Sequence, residues 1–498
     1  MRLASQGRFA FDTFDAHRTG ETSVAEVLAR THSRLLEWDD FGAATLRGDL
    51  AASWQQPDDR TIILELTPNA RWHDRPPLDG RPLTADDVIY SLQRKLDLAR
   101  EGGQPIVQRA SDWLSFERFE ATGPDMVTIT LARPDALALA TLAAEFALIQ
   151  PPEAVDAFAG SWQDIETASV VGSGPWTFTG YRDDALVFLR SDGGHRQANL
   201  ERMLVSEPFD IVSRLLGGEL DEAITRDRRD AASIRSAGEF EEIPRFEREP
   251  VISTFAIEGP PWNSPELIYA LSGALNRLWL AEALFGGRAE PSGPIPPVHA
   301  EWLGSVENVA GYGVDATTEA ATARALWEQG GGPALGTITI DFPSIFDPLY
   351  SASSVVTGRL NEVLGDQFRP AVETYTLISE RVASGYYGNG RAAFWFGWSP
   401  PLPSPDPTRW FVETYRPGGE SLGLDLGLFD GLLLEYERET RRALLRDGAS
   451  LVAANAFAGV IPWVHQRSEL FRRTGFEGGA VTPFWGQHRD AGRYRTAT

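Results

Sequence analysis

The chain has 498 residues, of which 42% are hydrophobic, 23% charged and 10% aromatic. This composition excludes disordered, collagen-like and mini-protein classes and allows two or three packed cores. The 46 Lys and Arg residues face 70 Asp and Glu residues, so the net charge is −24 and nucleic acids and anionic membranes are poor partners. Cysteine is absent, which excludes disulfides, thiolate metal sites and cysteine nucleophiles.

The first residues and the most apolar stretch bear on targeting. Residues 1–6 lack the apolar segment and cleavage site of a signal peptide, which is typical of a cytoplasmic protein or of a mature exported form. Residues 136–149 are apolar but contain Glu145, and they are shorter than the roughly 20 residues that span a bilayer. They predict a buried helix.

Strand and helix patterns alternate from the N-terminal third onward. Residues 61–66 have apolar side chains at period two and predict a strand with one buried face. Thr84 stands three residues before Asp87, as in a capping box, and apolar residues recur at spacing four after it. A helix is therefore expected to begin at Thr84.

Later segments continue this alternation around a glycine-proline turn at residues 172–176. Strands are predicted at residues 127–131, 186–189, 251–257 and 337–341, and helices at residues 211–216, 265–285 and 320–328.

Three segments carry a family resemblance. They are residues 49–54 (DLAASW), 66–74 (LTPNARWHD) and 83–92 (LTADDVIYSL). In this order they resemble the signature of the extracytoplasmic solute-binding proteins of ABC importers, in the class that binds oligopeptides, dipeptides, nickel chelates and some sugar conjugates (family 5).

Further matches extend over nearly the whole chain. Residues 171–176 resemble the family's glycine-proline turn, with Ser173 in place of the usual threonine. Residues 216–221 resemble a family helix end, and Asn276 stands where the family commonly has aspartate. Residues 397–398 resemble the glycine-tryptophan pair near the ligand pocket.

The resemblance implies an α/β, two-lobe periplasmic-binding-protein fold with hinge strands and an additional inserted α/β domain. We expect lobe I in residues 1–45, 163–250 and 470–498, the inserted domain in residues 46–162, and lobe II in residues 251–469. The ligand would be enclosed between the lobes, and the protein would be a monomer.

Function follows from the same resemblance. The chain is expected to be the solute receptor of an ABC importer that delivers an oligopeptide, an opine or a sugar conjugate to membrane permease subunits. The alternative is a sensing module that uses the same cleft to signal to a regulatory partner. Residues 2–5 match the family's first strand, so we expect a periplasmic or extracytoplasmic protein whose signal peptide has been removed.

Aromatic residues near the glycine-tryptophan pair are the first ligand-binding candidates. The resemblance assigns Trp398 and Ser399 to the pocket, whereas Trp395 could equally belong to the core. Tyr387, beside glycines, is a candidate pocket edge, with packing under a surface loop as the alternative.

The most informative departure from the family is Pro401. Peptide-binding members carry an aspartate there, which pairs with the α-amino group of the peptide. Asp406 could take over that role, or it could match a structural acidic-proline pair of the family. Without such an anchor, a sugar, an opine-like conjugate or a blocked peptide is favoured.

Charged and hydroxyl residues complete the candidate set. Arg18 and Arg409 could bind a ligand carboxylate or phosphate, although solvated surface arginines are the alternative. Glu21 and Thr22 could contact ligand hydroxyls, and Glu21 could also accept from an ammonium group; Glu21 could instead cap the following helix through Thr22.

Neither catalysis nor a resident metal or cofactor is predicted. The seven histidines lack metal-ligand spacing, although His17 or His465 could complete the coordination of a bound chelate. Residues 419–423 fit a hydrolase nucleophile elbow around Ser421, but turn residues precede the serine and no helix pattern follows it.

Overall fold

The computed structural model describes the chain in two compact units. It leaves out residues 6–8, 10, 20–21, 103–109, 159–169, 193, 248–250, 255–259, 304–315, 345–348, 388–389, 399–403, 416–425, 456–459, 479–494 and 497–498. Unit 1 comprises Met1–Arg245, Pro403–Pro405 and Ser468–Thr498, and unit 2 comprises Phe246–Leu402 and Asp406–Arg467. A division of unit 1 into a lobe and an inserted domain stays a prediction.

The elements up to Phe246 are seven helices and twelve strands in the described residues. The strands are β1 (Arg2–Ala4), β2 (Leu36–Asp40), β3 (Thr45–Gly48), β4 (Ala51–Asp58), β5 (Thr61–Leu66), β6 (Phe116–Gly123), β7 (Met126–Leu131), β8 (Trp176–Arg182), β9 (Ala185–Arg190), β10 (Arg202–Ser206), β11 (Glu222–Thr225) and β12 (Phe240–Phe246). The helices are α1 (Thr22–Thr31), α2 (Ala85–Glu101), α3 (Ala110–Trp113), α4 (Ala138–Leu142), α5 (Pro152–Phe158), α6 (Ile211–Leu216) and α7 (Arg228–Ala237).

The remaining elements lie mostly in unit 2. The strands are β13 (Val251–Thr254), β14 (Ala289–Pro291), β15 (Ile338–Pro343), β16 (Phe368–Glu373), β17 (Ala393–Trp398), β18 (Val460–Arg473), β19 (Phe476–Glu477) and β20 (Arg495–Thr496). The helices are α8 (Pro265–Ala274), α9 (Arg277–Phe285), α10 (Ala300–Leu303), α11 (Ala316–Gln329), α12 (Leu349–Leu364), α13 (Tyr375–Ala383), α14 (Thr408–Tyr415), α15 (Leu426–Leu434) and α16 (Arg438–Ala454).

Unit 1 contains a mixed sheet and an antiparallel sheet. In the mixed sheet β1 pairs in parallel with β10 and β11, and β10, β9 and β8 follow as antiparallel neighbours. The antiparallel sheet has the order β4-β5-β7-β6. Ile62 and Leu64 of β5 share its core with Val88, Leu92 and Leu96 of α2, so the predicted strand and helix pack against each other.

The start of α2 is fixed by the predicted cap. The Asp87 carboxylate accepts hydrogen bonds from the Thr84 backbone N–H at 2.9 Å and from the Thr84 hydroxyl at 3.1 Å. Arg81 adds two hydrogen bonds to the same carboxylate, at 2.7 and 2.8 Å. The first turn of α2 is therefore both capped and charge-compensated.

Unit 2 is built around a mixed sheet. β15 pairs in parallel with β16 and β17, and β13 is the antiparallel neighbour of both β17 and β18. Ile340, Phe342, Phe394 and Phe396 turn one face of this sheet toward a core shared with α8, α11 and α12. Strand β18 leaves unit 2 after Arg467 and ends in unit 1.

Two predicted helices are shorter than expected. The apolar stretch from residue 136 is helical only in α4, because the Arg34 guanidinium bonds the carbonyls of Ala144 and Glu145 at 2.7 and 2.8 Å. The single helix predicted over residues 265–285 is two helices, since Asn276 leaves the helical conformation and caps α9 through the Trp279 N–H at 3.1 Å. No helix in the described part of the chain is both long enough and apolar enough to cross a membrane.

The glycine-proline turn of unit 1 approaches the end of α1 very closely. A Cβ on Gly172 would lie 2.0 Å from the Thr31 carbonyl oxygen, and one on Gly174 would lie 2.6 Å from that of Arg30. His73 joins the same contact, with its Nε2 3.0 Å from the Gly174 carbonyl oxygen. Only glycine fits at these two positions.

Replacing Gly172 by alanine should therefore destabilise the protein by about 2 kcal/mol or more, since backbone must move to make room. Gly358→Ala is the matched control, because Gly358 lies within α12 and a Cβ there meets nothing within 4 Å. The control should stabilise by up to about 1 kcal/mol. Denaturant unfolding measures both, and equal stabilities would contradict the close approach.

Candidate functional site

Strand β17 presents its aromatic side chains on two faces. Phe394 and Phe396 are buried in the core of unit 2, and Trp398, at the end of the strand, is half-buried against the same core. Trp395 packs on the opposite face with Tyr387. The two candidate tryptophans therefore leave opposite faces of the strand, as the period-two geometry requires.

Trp395 is held by the glycine of the glycine-tryptophan pair. A Cβ on Gly397 would lie 2.1 Å from the Cζ3 of the Trp395 ring, so the ring lies directly over Gly397. The side chain is 8% exposed, and its Nε1 has no hydrogen-bond partner among the described residues. A buried indole N–H normally has one.

Tyr387 belongs to a buried polar cluster that the sequence did not predict. Its hydroxyl donates to Oδ2 of Asp341 at 2.7 Å, and Arg381 donates to the same oxygen. Burial raises the pKa of Tyr387, and the neighbouring Asp341 carboxylate raises it further, so the hydroxyl stays protonated. The second oxygen of Asp341, Oδ1, is buried and has no partner within the described structure.

The unpartnered atoms of Asp341 and Trp395 lie on neighbouring strands. The two residues stand opposite each other in the parallel pairing of β15 with β17. One supplies a free acceptor and the other a free donor, so this face of unit 2 has unused hydrogen-bonding capacity. The signal in the sequence was an aspartate within the apolar strand ITIDFP of β15.

An arginine-flanked tyrosine borders this cluster. The Tyr386 ring centre lies 4.9 Å from the Arg381 guanidinium and 4.4 Å from that of Arg391. Tyr386 also meets Tyr387 edge-on, with ring centres 5.3 Å apart. These contacts position the residues preceding β17.

Asp406 is buried and engaged on both oxygens. Oδ1 accepts from the Thr408 backbone N–H at 2.9 Å, at the start of α14, and Oδ2 accepts from Arg441 at 2.8 Å. Arg409 follows on α14 and is half-buried. Ser399 lies outside the described residues, and so does Ser421.

The unit 1 candidates lie near the start of α1. Arg18 is half-buried, with its Nε 3.8 Å from Oδ2 of Asp15, a carboxylate that also receives two hydrogen bonds from Arg94. Thr22 begins α1, but its side chain is outside the described part of the structure, as is Glu21. The ligand-binding role of all nine candidates stays a prediction.

The two histidines considered for a chelate are buried. His17 accepts from Arg94 at Nδ1 and donates from Nε2 to the Leu148 carbonyl oxygen at 3.1 Å. His465 bonds the Glu247 carbonyl oxygen through Nε2. Burial lowers the pKa of His17 to about 3 and that of His465 to about 4. Within the described residues no group of three possible metal ligands occurs.

Comparison with known proteins identifies the family. The model of the bacterial extracellular solute-binding proteins, family 5 (middle region), matches residues 45–418. The chain belongs to this family. The expected relationship is thus confirmed.

This family 5 member has curated relatives whose names describe ligand binding. It is 28% identical over 298 residues to the probable di/tripeptide-binding protein 5 of Pseudomonas aeruginosa, covering 56% of the chain and 55% of the relative. It is 24% identical over 292 residues to heme-binding protein A of Haemophilus influenzae, covering 55% of the chain and 53% of the relative. The chain thus spans about half the length of these relatives, and their names describe no enzyme.

Solved structures cover the whole chain. A dipeptide-binding protein from Pseudoalteromonas sp. SM9913, in complex with Met-Leu, superposes with a TM-score of 0.78 at 16% identity, over 100% of both chains. AgaA from Agrobacterium tumefaciens R10, in complex with agropinic acid, gives 0.74 at 18% identity over 100% of this chain and 98% of that one. The predicted α/β periplasmic-binding-protein fold is confirmed.

The Asp406–Arg441 pair predicts a strong effect on stability. Arg441→Met should cost about 3 kcal/mol or more, because it leaves the Asp406 carboxylate buried without its cation. Arg442→Met is the matched control, since Arg442 pairs at 3.4 Å with the exposed Glu439 and should cost less than about 1 kcal/mol. Denaturant unfolding measures both variants. Similar losses of unfolding free energy would contradict the stabilising role of the buried ion pair.

His73 predicts a pH dependence of stability. Burial lowers its pKa from 6.5 to about 4, and its ring accepts the Gly172 N–H at Nδ1, 3.3 Å away. The unfolded chain therefore binds a proton between these pH values that the folded chain does not. Stability should be full above about pH 6.5 and fall by up to ~1.4 kcal/mol per pH unit toward about pH 4 from this residue alone.

Unfolding of wild type and His73→Gln at a series of pH values measures this contribution. The variant should be less stable at pH 7. Between pH 6 and pH 5 its free energy of unfolding should change less steeply with pH than that of the wild type, by the equivalent of about one bound proton. Identical slopes would show that His73 is not held neutral.

Proposed function

We propose that the protein is the extracytoplasmic solute receptor of an ABC importer, which binds a small polar ligand and delivers it to membrane permease subunits. The observation that carries this proposal is the family match over residues 45–418. Relatives named for di/tripeptides and heme, and solved neighbours bound to Met-Leu and agropinic acid, support small-molecule binding. The receptor would act as a monomer.

The proposed ligand class rests on which carboxylates near Trp398 are present and open to a ligand. Pro401 replaces the carboxylate expected from the family, and the Asp406 carboxylate is already engaged by Arg441 and the start of α14. A free α-ammonium group would therefore find no open carboxylate in this segment. We infer that an opine, a sugar conjugate or a blocked peptide is bound in preference to a free peptide.

The first test is mass spectrometry of small molecules released by denaturing the protein as purified, beside a control protein of similar size. A single conjugated or sugar-like compound is the expected result. A ladder of short free peptides would overturn the ligand class while leaving the receptor role in place. The released compound should then raise the melting temperature when it is added back, and it should not be consumed.

Trp398→Ala tests the binding surface itself. If Trp398 contacts the ligand, its removal should weaken the affinity for the released compound about thirtyfold, which is ~2 kcal/mol. Trp279→Ala is the matched control, since Trp279 is also a half-buried tryptophan packed against the core of unit 2. Isothermal titration calorimetry compares the two, and equal affinities would remove Trp398 from the site.

A further inference from the structure

The mixed sheet of unit 1 has one face that is only partly covered. Leu186, Phe188, Met203 and Val205 point to the buried core beside α1. On the opposite face, α6 and α7 share a small core with Ala223 of β11 and with the end of β18. Strands β8, β9 and β10 continue this opposite face.

A groove of about 410 Å³ lies on this continuation. It is lined by Thr179, Arg182, Asp183, Ala185, Val187, Leu189, Arg202 and Leu204. A volume in this range is typical of sites for small ligands.

The floor of the groove is aliphatic. Ala185, Val187 and Leu189 occupy alternate positions of β9, and Leu204 stands opposite Val187 on β10. The Thr179 hydroxyl is directed to the Val187 carbonyl oxygen at 3.1 Å, so it does not make the floor polar. Leu189 is 43% exposed, which leaves apolar surface open to solvent.

Two arginines stand at opposite ends of this floor. Arg182 is the β8 partner of Ala185, and Arg202 is the β10 partner of Leu189. The two partners are separated by about 13 Å along β9, at a rise of roughly 3.3 Å per residue. An apolar strip thus runs between two cationic groups.

Neither guanidinium has an ion pair or a side-chain hydrogen bond within the described structure, including with the neighbouring Asp183. By contrast, Arg2 and Arg190 on the adjoining strands pair with Asp221 and Asp192. The two groove arginines are thus unpaired among the described residues of a chain with a net charge of −24. They suit an anion from outside the chain.

We propose that this groove binds a linear dicarboxylate, with its aliphatic spacer along β9 and one carboxylate at each arginine. The spacer would cover Leu189, which is exposed, and Leu204, which is half-buried, and each guanidinium would form the charge-assisted hydrogen bonds that it lacks within the chain. The site lies wholly within unit 1 and does not depend on the transported solute.

Isothermal titration calorimetry of the full chain with sebacate tests this site, with decanoate and the uncharged diol of the same length as comparison ligands. Sebacate should bind with one-to-one stoichiometry, decanoate about tenfold more weakly, and the diol more weakly still. No saturable binding of sebacate, or equal affinities for sebacate and decanoate, would overturn the proposal.

Variants locate the binding. The double variant Arg182→Gln/Arg202→Gln should weaken sebacate affinity about tenfold or more. The control double variant Arg133→Gln/Arg228→Gln removes the same charge from two exposed arginines of unit 1 that lie outside the groove. It should leave the sebacate affinity within about twofold of the wild-type value. Equal losses in the two double variants would show general charge attraction and overturn the site.

The Leu204→Trp variant tests whether sebacate occupies the groove or is attracted only by the two arginine charges. It fills the floor while both arginines remain, so sebacate affinity should also fall, with circular dichroism confirming that the fold is kept. An unchanged affinity in this variant would place sebacate outside the groove and contradict the proposal.

Discussion

Unit 1 depends on the close approach of the glycine-proline turn to the last turn of α1. The Gly174 N–H donates to the Thr31 carbonyl oxygen at 2.8 Å, and the His73 N–H donates to the Gly172 carbonyl oxygen at 2.9 Å. The His73 ring then bonds both glycines, so the three segments position one another. Because a Cβ at either glycine would overlap α1, the contact requires glycine at both positions and a neutral imidazole between them.

This contact joins the two sheets of unit 1. His73 follows β5 of the antiparallel sheet, whereas the turn leads directly into β8 of the mixed sheet. The α1 helix packs on the mixed sheet, and residues 31–36 then lead to β2. The family signature around residues 66–74 is therefore explained by packing, since its histidine holds a turn about 100 residues away in the chain.

Several buried carboxylates of the described residues are matched to cations. Asp49 accepts from His195 at 2.7 Å and from the Arg34 N–H at 2.9 Å, and these contacts, with the nearby Arg196, lower its pKa although burial opposes this. Asp87 and Asp406 are likewise each bonded by an arginine and a backbone N–H. Such matching is required because an unpaired buried charge costs several kcal/mol. Asp341 is also matched to a cation, Arg381, although its Oδ1 has no hydrogen-bond partner within the described residues.

The local sequence pattern predicted which helices and strands form better than it predicted the residues at which they end. Period-two alternation and a capping box located β5 and α2, because both signals lie within the segment itself. The early end of α4 depends on Arg34, which is 110 residues away, and no local signal announces it. The sequence left Trp395 open between pocket and core, and it could not show that Trp395 shares its face of the sheet with Asp341.

The unpartnered oxygen of Asp341 limits which ligand groups could bond to it. Its Oδ2 is already bonded to Arg381 and Tyr387, so the negative charge is compensated and a second cation would have to compete with Arg381. The free Oδ1 accepts and the free Trp395 Nε1 donates. A group that both donates and accepts satisfies the two atoms together, as a hydroxyl or an amide does and an ammonium does not. Under the proposed function, the missing carboxylate at Pro401 and the compensated carboxylate of Asp341 both argue for a neutral polar ligand group over a free amino terminus.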